Sequence, residues 1–438
     1  MRGAAGGANL LALRSHNTAL VLDLLRTAGG AGISRLELAE RTGLTPQAVS
    51  KITARLRGEG LAAEAGRRAS TGGKPRTVLR LVPGAGHALG VHLDRDELRA
   101  VLVDLDGTVV AERRAPLDLG AGAETVLEMV ARAAEELAAE GLGHLVAEGA
   151  RVPGAALAAA PTLLGLGVAL PGPLDHVRGV LHRITGFPGW DGYPLREALE
   201  RRLGVPVVVD KDTNAAALGL AVGGAGGERG SGAGGQRGSG AVGETGGAGG
   251  EGGSRAGAEW GGGAGAEAAG AGAEAARAGA RGGSFAYLHL GTGLGAGLVF
   301  GGGVHRGART GAGEFGHQVV QLDGPPCTCG ARGCIEALCL AAVARGDLAE
   351  AARVLGTGAA NLAGLLDIDL VLLGGRTVAA APEAFVQGVG AVLDARARRE
   401  GGHDGPVPVR LAPAGTRGVA EGAAQLLLAP LFGRGEGG

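Results

Sequence analysis

Residues 316–338 read GHQVVQLDGPPCTCGARGCIEAL, and His317, Cys327, Cys329 and Cys334 within that run have the spacing of four ligands to one tetrahedral zinc ion. Cys327 and Cys329 flank a single residue and cannot pair without strain. An intracellular chain keeps its thiols reduced, so a disulfide is the poorer reading. Three thiolates and an imidazole fill all four positions and leave none for a reactive water. The expected Zn2+ is therefore structural, not catalytic. Cys339 stands apart on the apolar run IEALCLAAVA and is expected to be a small core residue.

Working outward, the chain of 438 residues has room for two or three domains with real cores. Its net charge of −1 says little about partners, but the distribution does. Residues 1–82 carry 13 Lys plus Arg against 5 Asp plus Glu, which points that end towards a polyanion. Near the start, Arg14, His16 and Asp23 interrupt the apolar patches, against a signal-peptide core. The longest apolar stretch, PGAALAAAPTLLGLGVALPG from Pro153, is broken by Pro161 and reads as a buried strand with its approach, not a membrane span. A cytoplasmic location with no membrane partner follows as the expectation.

Residues 1–83 read as a winged helix-turn-helix. A first helix over 17–27 ends at Gly29 and Gly30. Ser34 caps a second helix closed by Gly43, and Thr45 caps a third with Pro46 in its first turn. On the third helix Val49, Ile52 and Leu56 form the inward stripe, with Gln47, Ser50, Lys51, Thr53 and Arg55 on other faces. The text after Leu61 gives two strands flanking a turn with Arg67, Arg68, Lys74 and Arg76, a basic wing placed to hold phosphates. Thr45, Gln47, Ser50, Lys51, Arg55, Arg67, Arg68, Lys74 and Arg76 are thus the candidate contacts to double-stranded DNA.

The remainder carries a series of motifs in fixed order: LGVHLDRDELRAVLVDLDG from Leu89, GVALPGPLD, GVPVVVDKDTNAAALG, YLHLGTGLGAGLVF, TGAGEFGH, the cysteine run and DIDLVLLGGRTVA. Together they resemble the ROK family of sugar kinases and sugar-responsive transcriptional repressors, over most of residues 89–424. The resemblance implies an α/β fold: a two-lobed, actin-like ATPase (hexokinase-like) architecture behind the winged segment. It divides the chain into 1–83, a first lobe 84–220, an insertion 221–283 and a second lobe 284–438 with the zinc site and a returning C-terminal helix. It also implies that Asp212 is the base for a sugar hydroxyl in a kinase or a sugar acceptor otherwise, and that Glu314, His317 and Glu336 contact the sugar ring. The glycine-rich GTGLGAG is expected to turn backbone amides towards phosphate.

This sequence departs from the kinase pattern at one decisive place. Where family kinases carry an acidic residue followed by Gly-Gly-Thr, the aligned run is His92, Leu93, Asp94, Arg95 and Asp96. Two carboxylates then stand where a polyphosphate would bind. Lys211 replaces the Asn usual beside the Asp, Leu220 replaces a common acidic residue, and the helical stretch between Glu336 and Gly374 is short. Residues 221–283 hold 27 Gly among 63 residues and read as a flexible insertion unable to bury enough surface to order itself. The resulting expectation is a repressor that binds operator DNA and a sugar or sugar-phosphate effector, as a homodimer or higher homo-oligomer. An ATP-dependent sugar kinase with an added DNA-binding arm, and a zinc-stabilised interaction protein without a small ligand, stand as the alternatives.

Overall fold

Local signals set the N-terminal segment. The computed structural model describes residues 16–68, 76–142, 157, 160, 162–184, 186–223, 283–401, 405–413 and 415–434. Helix α1 spans His16–Ala28. Ser34 accepts from the Glu37 N–H while Glu37 Oε2 accepts from Ser34 N, a capping box that starts α2 at Arg35–Thr42, and Gly43 ends it in the left-handed region. Thr45 Oγ1 accepts from Ala48 N to start α3, Pro46–Gly58. Strands β1 (Ile33–Ser34), β2 (Ala62–Arg68) and β3 (Arg76–Leu81) form an antiparallel sheet in the order β1-β3-β2. Three helices and a three-stranded sheet thus follow in the expected order. One expectation fails: Thr53 does not face outward. It is fully buried, its hydroxyl donates to Val49 O and it accepts from Arg35 Nε, a partner no local pattern announces.

Two sheets of the same plan follow. In the first, β4 (His87–Leu93), β5 (Glu97–Asp104) and β6 (Val109–Pro116) make an antiparallel meander. Strands β7 (Leu163–Leu170) and β10 (Val207–Lys211) then add in parallel on the β4 side, giving β10-β7-β4-β5-β6. Between them lies the small β8 (Leu174–Asp175) and β9 (Val180–Leu181) ribbon. In the second sheet, β11 (Phe285–Leu290), β12 (Leu294–Phe300) and β13 (Gly303–Val304) are the meander, and β14 (Leu370–Gly374) and β15 (Val409–Leu411) the parallel additions. The repeated plan gives each lobe an equivalent first turn, residues 94–96 in one and 291–293 in the other. The apolar stretch from Pro153 does supply a buried strand, β7.

Alternation along β5 shows how the first sheet is covered on both faces. Leu98, Ala100 and Leu102 pack with Val126, Leu127 and Val130 of α4, Ala123–Leu142, in a core that also takes in α5, Leu195–Leu203. Val101 and Val103, pointing the other way, join a core shared with the winged segment and the C-terminal helix. The second lobe is covered by α7 (Ile335–Ala344), α8 (Leu348–Leu366), α9 (Arg376–Ala380) and α10 (Pro382–Glu400), around Phe315, Ile335, Cys339 and Phe385. Cys339 is fully buried, as expected.

The last helix, α11 (Gly418–Leu428), returns to the first lobe and packs backbone to backbone with α6, Asp212–Val222. A Cβ on Gly422 would lie 1.9 Å from Ala215 O, and one on Gly167 of β7 would lie 1.9 Å from Ala423 O, so only glycine permits these approaches. Beyond α11, a 3-10 turn at Ala429–Phe432 holds the winged segment. The Arg26 guanidinium lies 4.1 Å from the Phe432 ring centroid, and Asp23 accepts from Arg26 and from Arg434. Among the described residues no helix is long and apolar enough to cross a membrane. The proposed insertion 221–283 lies outside the described residues except at its ends, where α6 continues to Val222.

Candidate functional site

A cavity opens between the lobes, and among its lining residues are Asp94, Lys211, Asp212, Glu314, His317 and Glu336. All four residues expected to contact a sugar therefore meet in one place. Asp212 begins α6, half-buried, its Oδ1 accepting from Thr213 N at 2.6 Å. Glu336, in the first turn of α7, is buried and accepts from Leu294 N at 2.8 Å, which fixes one oxygen. Glu314 precedes the 3-10 turn Phe315–His317 that carries His317. Its Oε1 accepts from Lys211 Nζ at 3.1 Å, and the ammonium also donates to Ala312 O. Lys211, only 3% exposed in its side chain, therefore ties the end of the first sheet to the far wall. Behind the cavity, buried Asp210 accepts from Arg306 Nε at 2.7 Å and from Asn214 Nδ2 at 2.9 Å, a second charge pair across the lobes. The arrangement offers carboxylates as acceptors and an ammonium and imidazole as donors, the complement of a polyhydroxylated ligand.

His317 also faces the cysteines. The ligand atoms of His317, Cys327, Cys329 and Cys334 all lie within 4.8 Å of one another. A turn closed by Gly330 N to Cys327 O and Cys327 N to Ala331 O presents Cys327 and Cys329, and Cys334 stands at the N-terminus of α7. Cys329 Sγ lies 3.7 Å from Cys334 Sγ, and Cys327 Sγ 3.7 Å from His317 Nδ1. An ion at about 2.3 Å from two thiolates holds the sulfurs roughly 3.8 Å apart, so the separation is that of a tetrahedral edge. Burial, then the adjoining Cys329 and Cys327, push the Cys334 thiol up to about 12 when no cation neutralises the group. The donor set and spacing fit one metal ion with no position open.

Across the cavity mouth the two equivalent turns meet. Thr292 Oγ1 donates to Asp94 Oδ1 at 2.7 Å, and Arg376 at the start of α9 donates to Asp96 at 2.9 Å. Burial raises the Asp94 carboxyl, but the Thr292 hydroxyl, His92, the Arg95 N–H and Arg376 together bring it below the ordinary range. Beneath the turn His92 is buried, its Nε2 without a hydrogen-bond partner among the described residues, and its ring is in edge contact with His289, centroids 6.4 Å apart. The GTGLGAG run is a turn only in part. Only residues 291–293 form the turn, and its one hydroxyl is taken by Asp94. Gly297 lies within β12, where a Cβ would stand 2.1 Å from Thr213 O, so it serves the close packing of α6 on the sheet.

On the winged segment Gln47, Ser50, Lys51 and Arg55 lie exposed along one face of α3, with Thr45 exposed at its cap. Arg55 donates to Glu59 at 3.2 Å. Arg67 and Arg76 are exposed on the wing strands, where Arg68 is paired in register with Arg76. Lys74 and the Arg68 side chain lie outside the described residues.

The ROK family matches residues 88–230 and 264–344, together more than half of the chain. This is a ROK-family protein. The xylose repressor of Bacillus subtilis (strain 168) is 23% identical over 69% of this chain and 61% of its own length. The DNA-binding transcriptional dual regulator NagC of Escherichia coli (strain K12) is 30% identical over 49% of this chain and 48% of its own. This ROK chain thus spans less than two thirds of the length of these relatives. In fold it is similar to a ROK family transcriptional regulator, a homolog of the E. coli MLC protein, with a TM-score of 0.63 at 18% identity, covering 95% of this chain and 97% of that one.

Sequence reasoning found the cavity and cysteine residues of this ROK protein and missed the groups that bridge its lobes. Thr292, Arg306 and Arg376 carry no local signal, since their partners Asp94, Asp210 and Asp96 lie far away in the chain.

Proposed function

We propose that this ROK protein is a transcriptional regulator, acting as a repressor, that binds operator DNA and responds to a sugar or sugar phosphate. The observation that carries this reading is the turn 94–96, whose two carboxylates are engaged by Thr292 and Arg376 where a kinase would hold nucleotide phosphates. Anions held there oppose a polyphosphate by like charge. DNA is held by Thr45, Gln47, Ser50, Lys51 and Arg55 of the recognition helix and by Arg67, Arg68, Lys74 and Arg76 of the wing. The effector is held by Asp212, Glu314, His317 and Glu336. His317, Cys327, Cys329 and Cys334 would hold a structural Zn2+, which would neutralise the thiolates and fix the His317 ring at the cavity wall. A homodimer presents two recognition helices to a two-fold operator.

The route from cavity to DNA runs through packed helices. Asp212 begins α6, α6 touches α11 through Gly422, and the turn after α11 holds α1 through Phe432 and Arg434. An effector with different affinity for two lobe arrangements shifts α6, and the winged segment follows. A sugar kinase is the second reading, favoured by Asp212 at the cavity. Both are tested by thermal shift of the full chain against neutral sugars and sugar phosphates, with and without MgATP, while ADP release is followed. Stabilisation by one sugar without ADP release is expected. Sugar-dependent ADP release that disappears in Asp212→Asn would replace the repressor reading by the kinase one.

A further inference from the structure

We infer that the turn 94–96 is an interlobe clasp, which holds the cleft closed with no nucleotide by docking Asp94 onto Thr292 and Asp96 onto Arg376 of the opposite lobe. The inference is independent of what the cavity below binds. In a two-lobed fold of this plan the equivalent first turns face each other across the cleft, and a ligand between them must supply whatever holds the lobes together. Here the chain supplies it. Asp94 Oδ1 accepts from Thr292 Oγ1 at 2.7 Å, Arg376 Nη1 donates to Asp96 Oδ2 at 2.9 Å, and Arg376 Nη2 lies 3.8 Å from Asp94 Oδ2.

The two contacts are unequal. Arg376 and Asp96 are 41% and 57% exposed in their side chains, so that pair is weak on its own. Asp94 is 15% exposed, and its contact to Thr292 is a charge-assisted bond in a largely dry place. Asp94 is the anchor and Asp96 the guide.

The turn is built to hold this shape. Asp94 N donates to Glu97 O, Leu117 N to Asp96 O and Leu119 N to Arg95 O, which fasten it to the next stretch of its own lobe. Asp94 Oδ1 also accepts from Arg95 N, and the Arg95 guanidinium lies 5.8 Å from the Phe187 ring centroid. Little conformational entropy is left to lose when the lobes meet. A closed cleft without nucleotide is then the resting state, and entry to the cavity requires the clasp to part.

The test is amide hydrogen exchange of the full chain, without sugar or nucleotide, following peptides over 92–97 and 289–294. Asp94→Ala and Thr292→Val should each speed exchange in both peptides about tenfold, although the substitution lies in only one lobe. The double variant should exchange no faster than Asp94→Ala alone, because that substitution already removes the contact that Thr292→Val removes, together with those to Arg95 N and Arg376. Exchange over 92–97 unchanged in Thr292→Val, or effects that add in full, would overturn the clasp. Should Asp94→Ala fail to fold, Thr292→Val decides alone, since it keeps shape and leaves the first lobe untouched.

Discussion

Lys211 Nζ lies 3.1 Å from Glu314 Oε1, and the two residues differ in exposure, 3% against 43% in their side chains. Losing one partner is therefore not equivalent to losing the other. Glu314→Ala leaves a buried ammonium with the Ala312 carbonyl alone and should cost about 2–3 kcal/mol. Lys211→Met leaves a carboxylate that water already reaches and should cost about 1 kcal/mol or less. Urea midpoints of the two variants check the order.

Gly422→Ala should destabilise the protein by about 3 kcal/mol, because the new Cβ would stand 1.9 Å from Ala215 O and neither helix can yield without moving a core. Thermal unfolding measures it. Ala420→Gly, a substitution of the opposite kind in the same helix, should cost only about 1 kcal/mol of helix propensity.

His92 gives a pH dependence of known sign. Burial holds its pKa below the ordinary 6.5; Asp212 and Asp94 pull the other way without overcoming it, while His289 adds to the depression. Above pH 6.5 the imidazole is neutral in native and unfolded chains alike. As the pH falls below that value the unfolded chain takes up a proton that the native state resists, so stability is lost on acidification. His92→Asn should lose less stability between about pH 7 and pH 5 than the parent, read from urea midpoints at the two values.

Cys329→Ser should abolish stoichiometric zinc, measured by atomic absorption, and lower the unfolding temperature of the metal-loaded protein by several degrees. Equal zinc content and equal stability in parent and variant would remove Cys329 from the ligand set.

Lys51→Ala and Arg67→Ala should weaken binding to operator and random duplex alike if each holds a phosphate. Each should also reduce the slope of log K against log salt by about one. Gln47→Ala should instead lower affinity for the operator alone, by about 1–3 kcal/mol, with the slope unchanged. Fluorescence anisotropy over a salt series distinguishes the two behaviours.

What could be seen in the sequence was whatever is decided within a few residues. The Ser34 and Glu37 capping box, Gly43 and the Thr45, Pro46 pair fix helix ends by local bonds, and the structure places those ends within a residue of the expectation. The cysteine run is equally local, and its ligand atoms converge. Thr53 stands four residues after Val49 and three before Leu56, so helical spacing itself puts it on the buried stripe; only its polarity hides this, and its partner Arg35, 18 residues earlier, carries no local signal. Asp94 and Thr292 are 198 residues apart, and nothing near either names the other. Gly297 looked like part of a phosphate turn because a glycine needed for close packing is the same letter as one needed for a turn.

The grip of Phe432 on Arg26 joins two stretches more than 400 residues apart in order of synthesis. On the ribosome the three-helix segment is complete long before its anchor exists, and its Leu22 and Leu25 wait for Leu428 and Leu431 to complete their common core. A chain cut short before Ala429 would keep the recognition helix whole and lose the surface that sets its direction. Under the proposed function such a fragment would still bind DNA but would be deaf to the rest of the molecule.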